Sequence, residues 1–323
     1  MNYGGSVRGL QAEGGALVWQ EQAAETLQPG QVRVKVMAAG LNRADLLQKA
    51  GMYPPPAGVT SVLGLECAGQ VVEVAEGTRW KVGDRVCALL AGGGMADEVV
   101  VDERHLLTVP ANLDWAEAAA IPEVFSTAWL NIFELANARP GEKVLIHAGA
   151  SGVGTAAIQL CKAQGNPCWV TVGSQEKLDA CIKLGAEGGV LRQGGIAALA
   201  DQGPFDVVLD PVGANYAADH LDLLAVDGRW VLIGLMGGRE ATLDLGKMLV
   251  KRARLIGSTL RTRDAGFKAT LLADMEQRLM PLFAKGDLHP LVAKTFAFED
   301  AEAAFAELAS DKIVGKVILL REA

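Results

Sequence analysis

The first third of the chain alternates apolar and polar positions at a period of two. "QVRVKVMAAG", "AGQVVEVAEG", "VGDRVCAL" and "ADEVVVDERHLLTVP" each follow that rhythm, with glycine turns such as Gly92-Gly93-Gly94 between them. The pattern predicts a small, irregular, barrel-like β domain. Near Pro122 the period changes. Phe125, Ala128, Trp129, Ile132 and Phe133 fall on one face of a helix. Strands and helices then alternate: the strand candidates are "KVLIHAG", "PCWVTVG", "FDVVLDPVG", "RWVLIGLMG" and "ARLIGSTL", and "SQEKLDACIKLG" is one of the helices between them. Repeated βα units imply a parallel sheet covered on both faces. Ala301, Ala304, Phe305, Leu308 and Ala309 form a late helical stripe, and "GKVILL" closes the chain as a strand that can return to the first domain.

One stretch carries candidate chemistry. In "KVLIHAGASGVGTAAIQLCKAQG" (143–165) a short β-branched run precedes a glycine turn. After the turn, Val153, Ala156, Ala157, Leu160 and Cys161 give a helical stripe, and Gly165 supplies a left-handed stop. A helix start leaves backbone N–H groups unpaired and favours an anion. Gly149, Gly152 and Gly154 do not match G-x-G-x-x-G spacing. The stretch is either a phosphate cradle or a plain tight turn.

Composition narrows the class. A chain of 323 residues, 50% hydrophobic, is long enough for two domains with a sizeable core. A net charge of −8 argues against a general nucleic-acid or anionic-membrane surface. The five cysteines (Cys67, Cys87, Cys161, Cys168, Cys181) are scattered, without C-x-x-C spacing, which suits a reducing, cytoplasmic setting. "MNYGGSVRGL" lacks the apolar stretch of a signal peptide, and no apolar run reaches membrane-spanning length.

Several segments together resemble the medium-chain dehydrogenase/reductase superfamily in its zinc-independent quinone oxidoreductase branch: "AAGLNRADLLQKAGMYPPP", "LGLECAG", "VGDRV", "HAGASGVGTAAIQL", "VTVGSQEKL", "DGRWVLIGLMGG", "LIGSTLRTRD" and "GKVIL". The subgroup most similar is the quinone oxidoreductase induced by a tumour suppressor in mammals. The resemblance implies an α/β fold: a GroES-like β-barrel catalytic domain plus a Rossmann doubly wound parallel sheet. The expected boundaries are 1–121 for the GroES-like domain, 122–266 for the Rossmann domain, and 267–323 for a segment returning to the first. The family's A-x-x-G-x-x-G loop maps to Ala148, Ser151 and Gly154, with serine at the middle position as in the subgroup. That favours the phosphate cradle. Relatives are commonly dimeric, so a homodimer is expected.

Zinc-dependent relatives carry a cysteine where this chain has Asn42 and a histidine where it has Leu65. An amide oxygen is a weak zinc ligand and leucine offers none. No metal is therefore expected, and without a Lewis acid the acceptor must delocalise charge itself, as quinones and enones do. The reading is an NADPH-dependent quinone reductase. The alternatives are an enone or alkenal double-bond reductase, which needs an acid that the sequence does not mark, and a non-enzymatic NADPH-binding sensor.

The resemblance puts Asn42 and Tyr53 on the substrate side. Asn42 either bonds a quinone oxygen or the nicotinamide ribose, or is a turn asparagine. Tyr53, in "GMYPPP", either donates to a developing oxyanion or packs as an amphipathic ring. Ser151, Gly152 and Val153 would approach the pyrophosphate. Gly234, Leu235 and Met236 would line the nicotinamide pocket, the two apolar residues being core otherwise. Thr127 either reaches the nicotinamide or stabilises a helix. Lys316 either touches a cofactor phosphate or is solvated. The four histidines, far apart in sequence, read as structural.

Cofactor choice is legible at the end of the second strand. NAD-preferring Rossmann domains place an acid there, about 20 residues after the first glycine. Here Gly173 and Ser174 follow "CWVTV", and Glu176 comes later. Ser174 can donate a hydroxyl and Lys177 a charge to a 2′-phosphate; otherwise Ser174 is an N-cap and Lys177 solvated surface. Arg192 stands where the subgroup has an aromatic residue, and a guanidinium can stack on adenine or fork a phosphate.

Overall fold

A computed structural model describes residues 5–321. They form two compact units: residues up to Ser126 together with those from Leu260 on, and Thr127–Thr259. The sequence boundaries stood at 121/122 and 266/267.

The first unit opens with a hairpin of β1 (Ser6–Glu13) and β2 (Ala16–Ala23). Its two loop residues, Gly14 and Gly15, both have positive φ, as a two-residue hairpin turn of the right twist requires. The long strand β3 (Gln31–Gly40) leads into helix α1 (Arg43–Lys49). Four strands follow: β4 (Glu66–Val74), β5 (Arg85–Leu89), β6 (Glu98–Asp102) and β7 (Leu106–Thr108). The last predicted strand run is thus broken in two by a single 3₁₀ turn at Glu103–His105. Helices α2 (Trp115–Ala119) and α3 (Pro122–Trp129) come next, α3 with proline at its start.

In the second unit, β8 (Val144–His147), β9 (Cys168–Val172), β10 (Gly188–Leu191), β11 (Phe205–Asp210), β12 (Leu224–Leu232) and β13 (Arg254–Gly257) make one six-stranded sheet. Every pairing in it is parallel, and the spatial order is β10-β9-β8-β11-β12-β13. Counting within the unit, that is 3-2-1-4-5-6, the doubly wound Rossmann order, with the switch point between β8 and β11. Helices α4 (Gly152–Gln164), α5 (Gln175–Leu184), α6 (Ala217–Leu223) and α7 (Leu245–Val250) connect the strands. The stripe read from sequence is the buried face of α4: Ala156, Ala157, Leu160 and Cys161 have almost no exposure. Leu145, Phe205, Val208, Leu221 and Trp230 pack together in this unit's core, where each side chain contributes about 1.5–3 kcal/mol through burial.

The chain then adds α8 (Ala265–Arg278) and α9 (Met280–Lys285), β14 (Val292–Ala297), α10 (Ala301–Ala309) and β15 (Lys316–Leu320) to the first unit. The closing strand β15 pairs antiparallel with β3, placing Ile318 opposite Gly40. Val32, Val34, Val36, Cys67, Val71 and Val317 form part of the core on this sheet. Among the described residues no helix is long and apolar enough to cross a membrane.

Candidate active site

The glycine turn of the second unit follows β8 beside the switch point. Ala148 adopts φ +53 there, a left-handed conformation that L-residues seldom take. Gly154 has no room for a side chain, since a Cβ would lie 2.4 Å from the Ala148 carbonyl oxygen and 2.5 Å from that of Gly149. The Ser151 hydroxyl caps α4 by accepting from the Gly154 amide at 3.0 Å, and the Ser151 carbonyl accepts from Thr155 N. Among the described residues the amides of Gly152 and Val153 make no hydrogen bond. Two open N–H groups at the start of a 13-residue helix, above a backbone drawn in tight by Gly154, fit a dinucleotide pyrophosphate.

At the tip of β9 the Arg192 guanidinium lies over Gly173, 3.3 Å from where a Cβ would stand, and Gln193 donates to the Gly173 carbonyl at 3.0 Å. Ser174 is the N-cap of α5 and accepts from the Lys177 amide. Lys177 is not solvated surface: it is 8% exposed. The structure thus gathers Gly173, Ser174, Lys177 and Arg192 at one strand end, and Glu176 is exposed on the first turn of α5. Leu235 and Met236, after β12, are 52% and 49% exposed, which removes the core reading of both. Gly234 lies against Pro211, where a Cβ would meet the Pro211 carbonyl at 2.8 Å. Thr127 is half-buried in α3, and its carbonyl accepts from Asn131.

The histidines hold something the sequence did not show. His147 ends β8 and His220 lies on α6, 73 residues on, yet their Nε2 atoms are 2.7 Å apart. His147 Nδ1 meets Thr171 Oγ1 at 2.9 Å, and His220 Nδ1 faces Asp210 Oδ2 at 3.8 Å without a hydrogen bond. Asp210 accepts from the amides of Val212 and Gly213 and from Trp230 Nε1. Among the described residues this is the one His/Cys/Asp/Glu group compact enough for a metal ion. Its donor set fits a hydrogen-bond relay better, because the two imidazoles already share a proton and the carboxylate already has three N–H donors. Burial holds both imidazoles neutral, His220 lowered to about 3 and His147 well below its ordinary value.

In the first unit, Asn42 caps the start of α1, where its amide N–H donates to Asp45 Oδ2. Its side chain also does more than turn a loop. Nδ2 donates to Glu66 Oε1 at 2.9 Å, and Oδ1 accepts from Lys316 Nζ at 2.7 Å, which leaves one amide N–H without a partner among the described residues. Lys316 was expected at a cofactor phosphate or in solvent, and it is not in solvent. It is 4% exposed, donates to the Leu41 carbonyl and to Asn42 Oδ1, and forms an ion pair with Glu66 Oε1 at 2.7 Å. A buried ammonium demands such partners. Glu66 Oε2 accepts from the Glu123 amide at 2.8 Å. Tyr53 lies under the Arg261 guanidinium, ring centroid to Cζ 5.1 Å, and Arg261 is anchored by the Ala91 carbonyl and Gln48 Oε1. Burial raises the Tyr53 phenol, with Arg261 opposing.

Glu123 escaped the sequence reading. "IPEVFSTAW" shows an acid in a first helical turn, an ordinary helix-start signal; only the fold sets it beside Glu66. Burial first, then the Glu66 carboxylate, push it up to about 8.

The comparisons agree with this architecture. Residues 28–111 match the family described as "Alcohol dehydrogenase GroES-like domain", and residues 152–277 match "Zinc-binding dehydrogenase". "Quinone oxidoreductase-like protein 2" of Bos taurus is 30% identical over 94% of this chain and 88% of its own. "Polyketide synthase GfsB" of Streptomyces halstedii is 35% identical over 92% of this chain, which spans only 5% of that protein's length. Among solved structures, the quinone oxidoreductase of Thermus thermophilus, determined also in complex with NADPH, superposes with a TM-score of 0.82 at 32% identity, covering 98% of this chain and 99% of that one. The JamJ enoyl reductase gives 0.86 at 27% identity, covering 98% and 100%. The chain belongs to the medium-chain dehydrogenase/reductase superfamily and has quinone oxidoreductase-like relatives.

Proposed function

We propose that the chain is an NADPH-dependent, metal-free reductase of conjugated carbonyl acceptors, with quinones as the first acceptor class. The observation that carries this reading is the Asn42–Lys316–Glu66 cluster. Where zinc-dependent relatives have a ligating cysteine, this chain has an amide whose oxygen already holds a lysine ammonium at 2.7 Å. A fixed ammonium repels a second cation, and Leu65 offers no ligand atom. Gly152 and Val153 amides would hold the pyrophosphate, Ser174, Lys177 and Arg192 the 2′-phosphate, and Gly234, Leu235 and Met236 the nicotinamide ring. The bound dinucleotide supplies a hydride. The protein's part is to place an acceptor beside Asn42 and Tyr53 and to keep water out.

A second reading, reduction of an enone or enoyl double bond, gains support from Glu123. The preference for quinones rested on the lack of an acid, and this carboxyl is a candidate. The likeness to an enoyl reductase structure points the same way. Steady-state assays with NADPH or NADH, against an ortho-quinone and an α,β-unsaturated ketone, with and without a chelator, test both. NADPH oxidation by the quinone that survives chelation is the expected result. Faster turnover of the enone selects the second reading, and cofactor binding without turnover of either acceptor overturns both.

A further inference from the structure

Reducing a conjugated carbonyl takes a proton as well as a hydride, and in the first unit the Glu123 carboxyl is placed beside the Glu66 pair without a partner of its own among the described residues. Lys316 donates to Leu41 and Asn42 and pairs with Glu66, whose Oε1 also accepts from Asn42 Nδ2, so the Glu66 carboxylate has its counter-ion and its donors. Glu123 sits next to it, with its backbone N–H on Glu66 Oε2, but its own carboxyl stands outside the pairing. Among the described residues that carboxyl has no hydrogen bond and no ion pair, and the residue is half-buried rather than sealed in. The Tyr53 hydroxyl has no hydrogen-bond partner among the described residues either.

The charges around Glu123 come from every element beside it. Glu66 on β4 and Asp45 on α1 oppose its ionisation; Lys316 on β15 and Lys268 on α8 favour it. Its charge also acts on Tyr53 and on Arg261. Two carboxyls therefore share a site in which Lys316 is committed to one of them. The second is kept protonated at neutral pH, and Lys268 and Arg261 stand by to steady its conjugate base.

We propose that Glu123 is the general acid of the reduction, passing its carboxyl proton to the acceptor held beside Tyr53. This rests on the reductase reading above. The balance is simple. A quinone that has taken hydride from the reduced nicotinamide cofactor is a hydroquinone monoanion. The Glu123 O–H bond breaks, a new O–H bond forms on that anion, and the products are hydroquinone, oxidised cofactor and the Glu123 carboxylate. For an enone, hydride goes to the β-carbon and the same proton goes to the enolate. Solvent then reprotonates Glu123. Burial and Glu66 place its titration near 8, so the acid form prevails at neutral pH.

The test compares wild type, Glu123→Gln and Glu123→Asp. For wild type, kcat/KM falls on an alkaline limb. In Glu123→Gln it drops about 10²-fold or more at neutral pH and the limb disappears, because an amide cannot donate that proton. Glu123→Asp keeps the limb at reduced rate. NADPH binding, read by fluorescence, is unchanged in all three. Without cofactor, wild type shows an infrared band of a protonated carboxyl that titrates away at alkaline pH, and Glu123→Gln lacks it. A folded Glu123→Gln variant with wild-type turnover and an intact alkaline limb overturns the assignment while the reductase reading stands. A wild type that binds NADPH and reduces neither acceptor class overturns both.

Discussion

Lys177 and Arg192 carry the proposed preference for a 2′-phosphate, and they do so from different surroundings. Arg192 is exposed and lies across Gly173; Lys177 is packed along α5. A charge-assisted hydrogen bond contributes about 1.5–3 kcal/mol. Lys177→Ala is therefore expected to weaken NADPH about 10- to 150-fold in kcat/KM. NADH, lacking the phosphate, should hardly change. Kinetics with both cofactors check this, and equal losses for the two remove Lys177 from the phosphate site. The residue scale is also where sequence reading stops short. The missing acid after β9 can be read from one segment because that strand end is local. Lys316, Glu123 and His220 cannot be read that way. Their partners lie at Leu41, Asn42 and Glu66, again at Glu66, and at His147, and nothing in the neighbouring sequence of each points there.

The glycine turn and α4 form an element in which two glycines do different work. At Gly154 a side chain collides with two backbone carbonyls of the same turn, neither of which can move aside. Gly154→Ala is expected to lower stability by about 1–3 kcal/mol, as overpacking does, read as a shifted denaturation midpoint. Gly152 is half-buried at the first position of α4, with its amide open. Gly152→Val is expected to leave the melting temperature nearly unchanged while calorimetry shows strongly weakened dinucleotide binding. Unchanged affinity in that variant would return the stretch to a plain turn. At this scale most of the fold was legible. Period-two runs became β3 to β7, and the helical stripe became α4 with Ser151 and Gly165 at its ends. The break at Glu103–His105 falls where four polar residues, Asp102–His105, interrupt the apolar run, and the reading carried one strand across them. The π-helical turn Leu130–Leu135 was hidden because its apolar stripe reads as a plain continuation of α3.

Across the whole molecule, buried ionisable groups push stability in opposite directions as pH changes. In the second unit His147 and His220 are neutral and fully enclosed. Their folded values lie below the unfolded value of about 6.5. As pH falls below that value the unfolded chain takes up protons that the folded chain refuses, so stability is lost on the acid side. For His220, lowered to about 3, the window runs from about 6.5 down to about 3. Going from neutral pH to pH 5 spans about 1.5 units of it, or about 2 kcal/mol. In the first unit the sign reverses. Glu123, raised to about 8, and Asp45, raised to about 6, hold protons that the unfolded chain has released, so they favour the folded state at lower pH and lose that contribution as pH rises through those values. The overall curve is a sum that can look flat, so the test must remove one contribution. His220→Asn keeps a polar side chain beside His147 and removes the titration. Chemical denaturation at pH 5, 6 and 7 should show the variant with a shallower acid slope than wild type, the difference approaching about 2 kcal/mol at pH 5. Identical slopes would mean that the imidazole is already protonated in the folded state, and the reading of His147 and His220 as a neutral relay would fail with it.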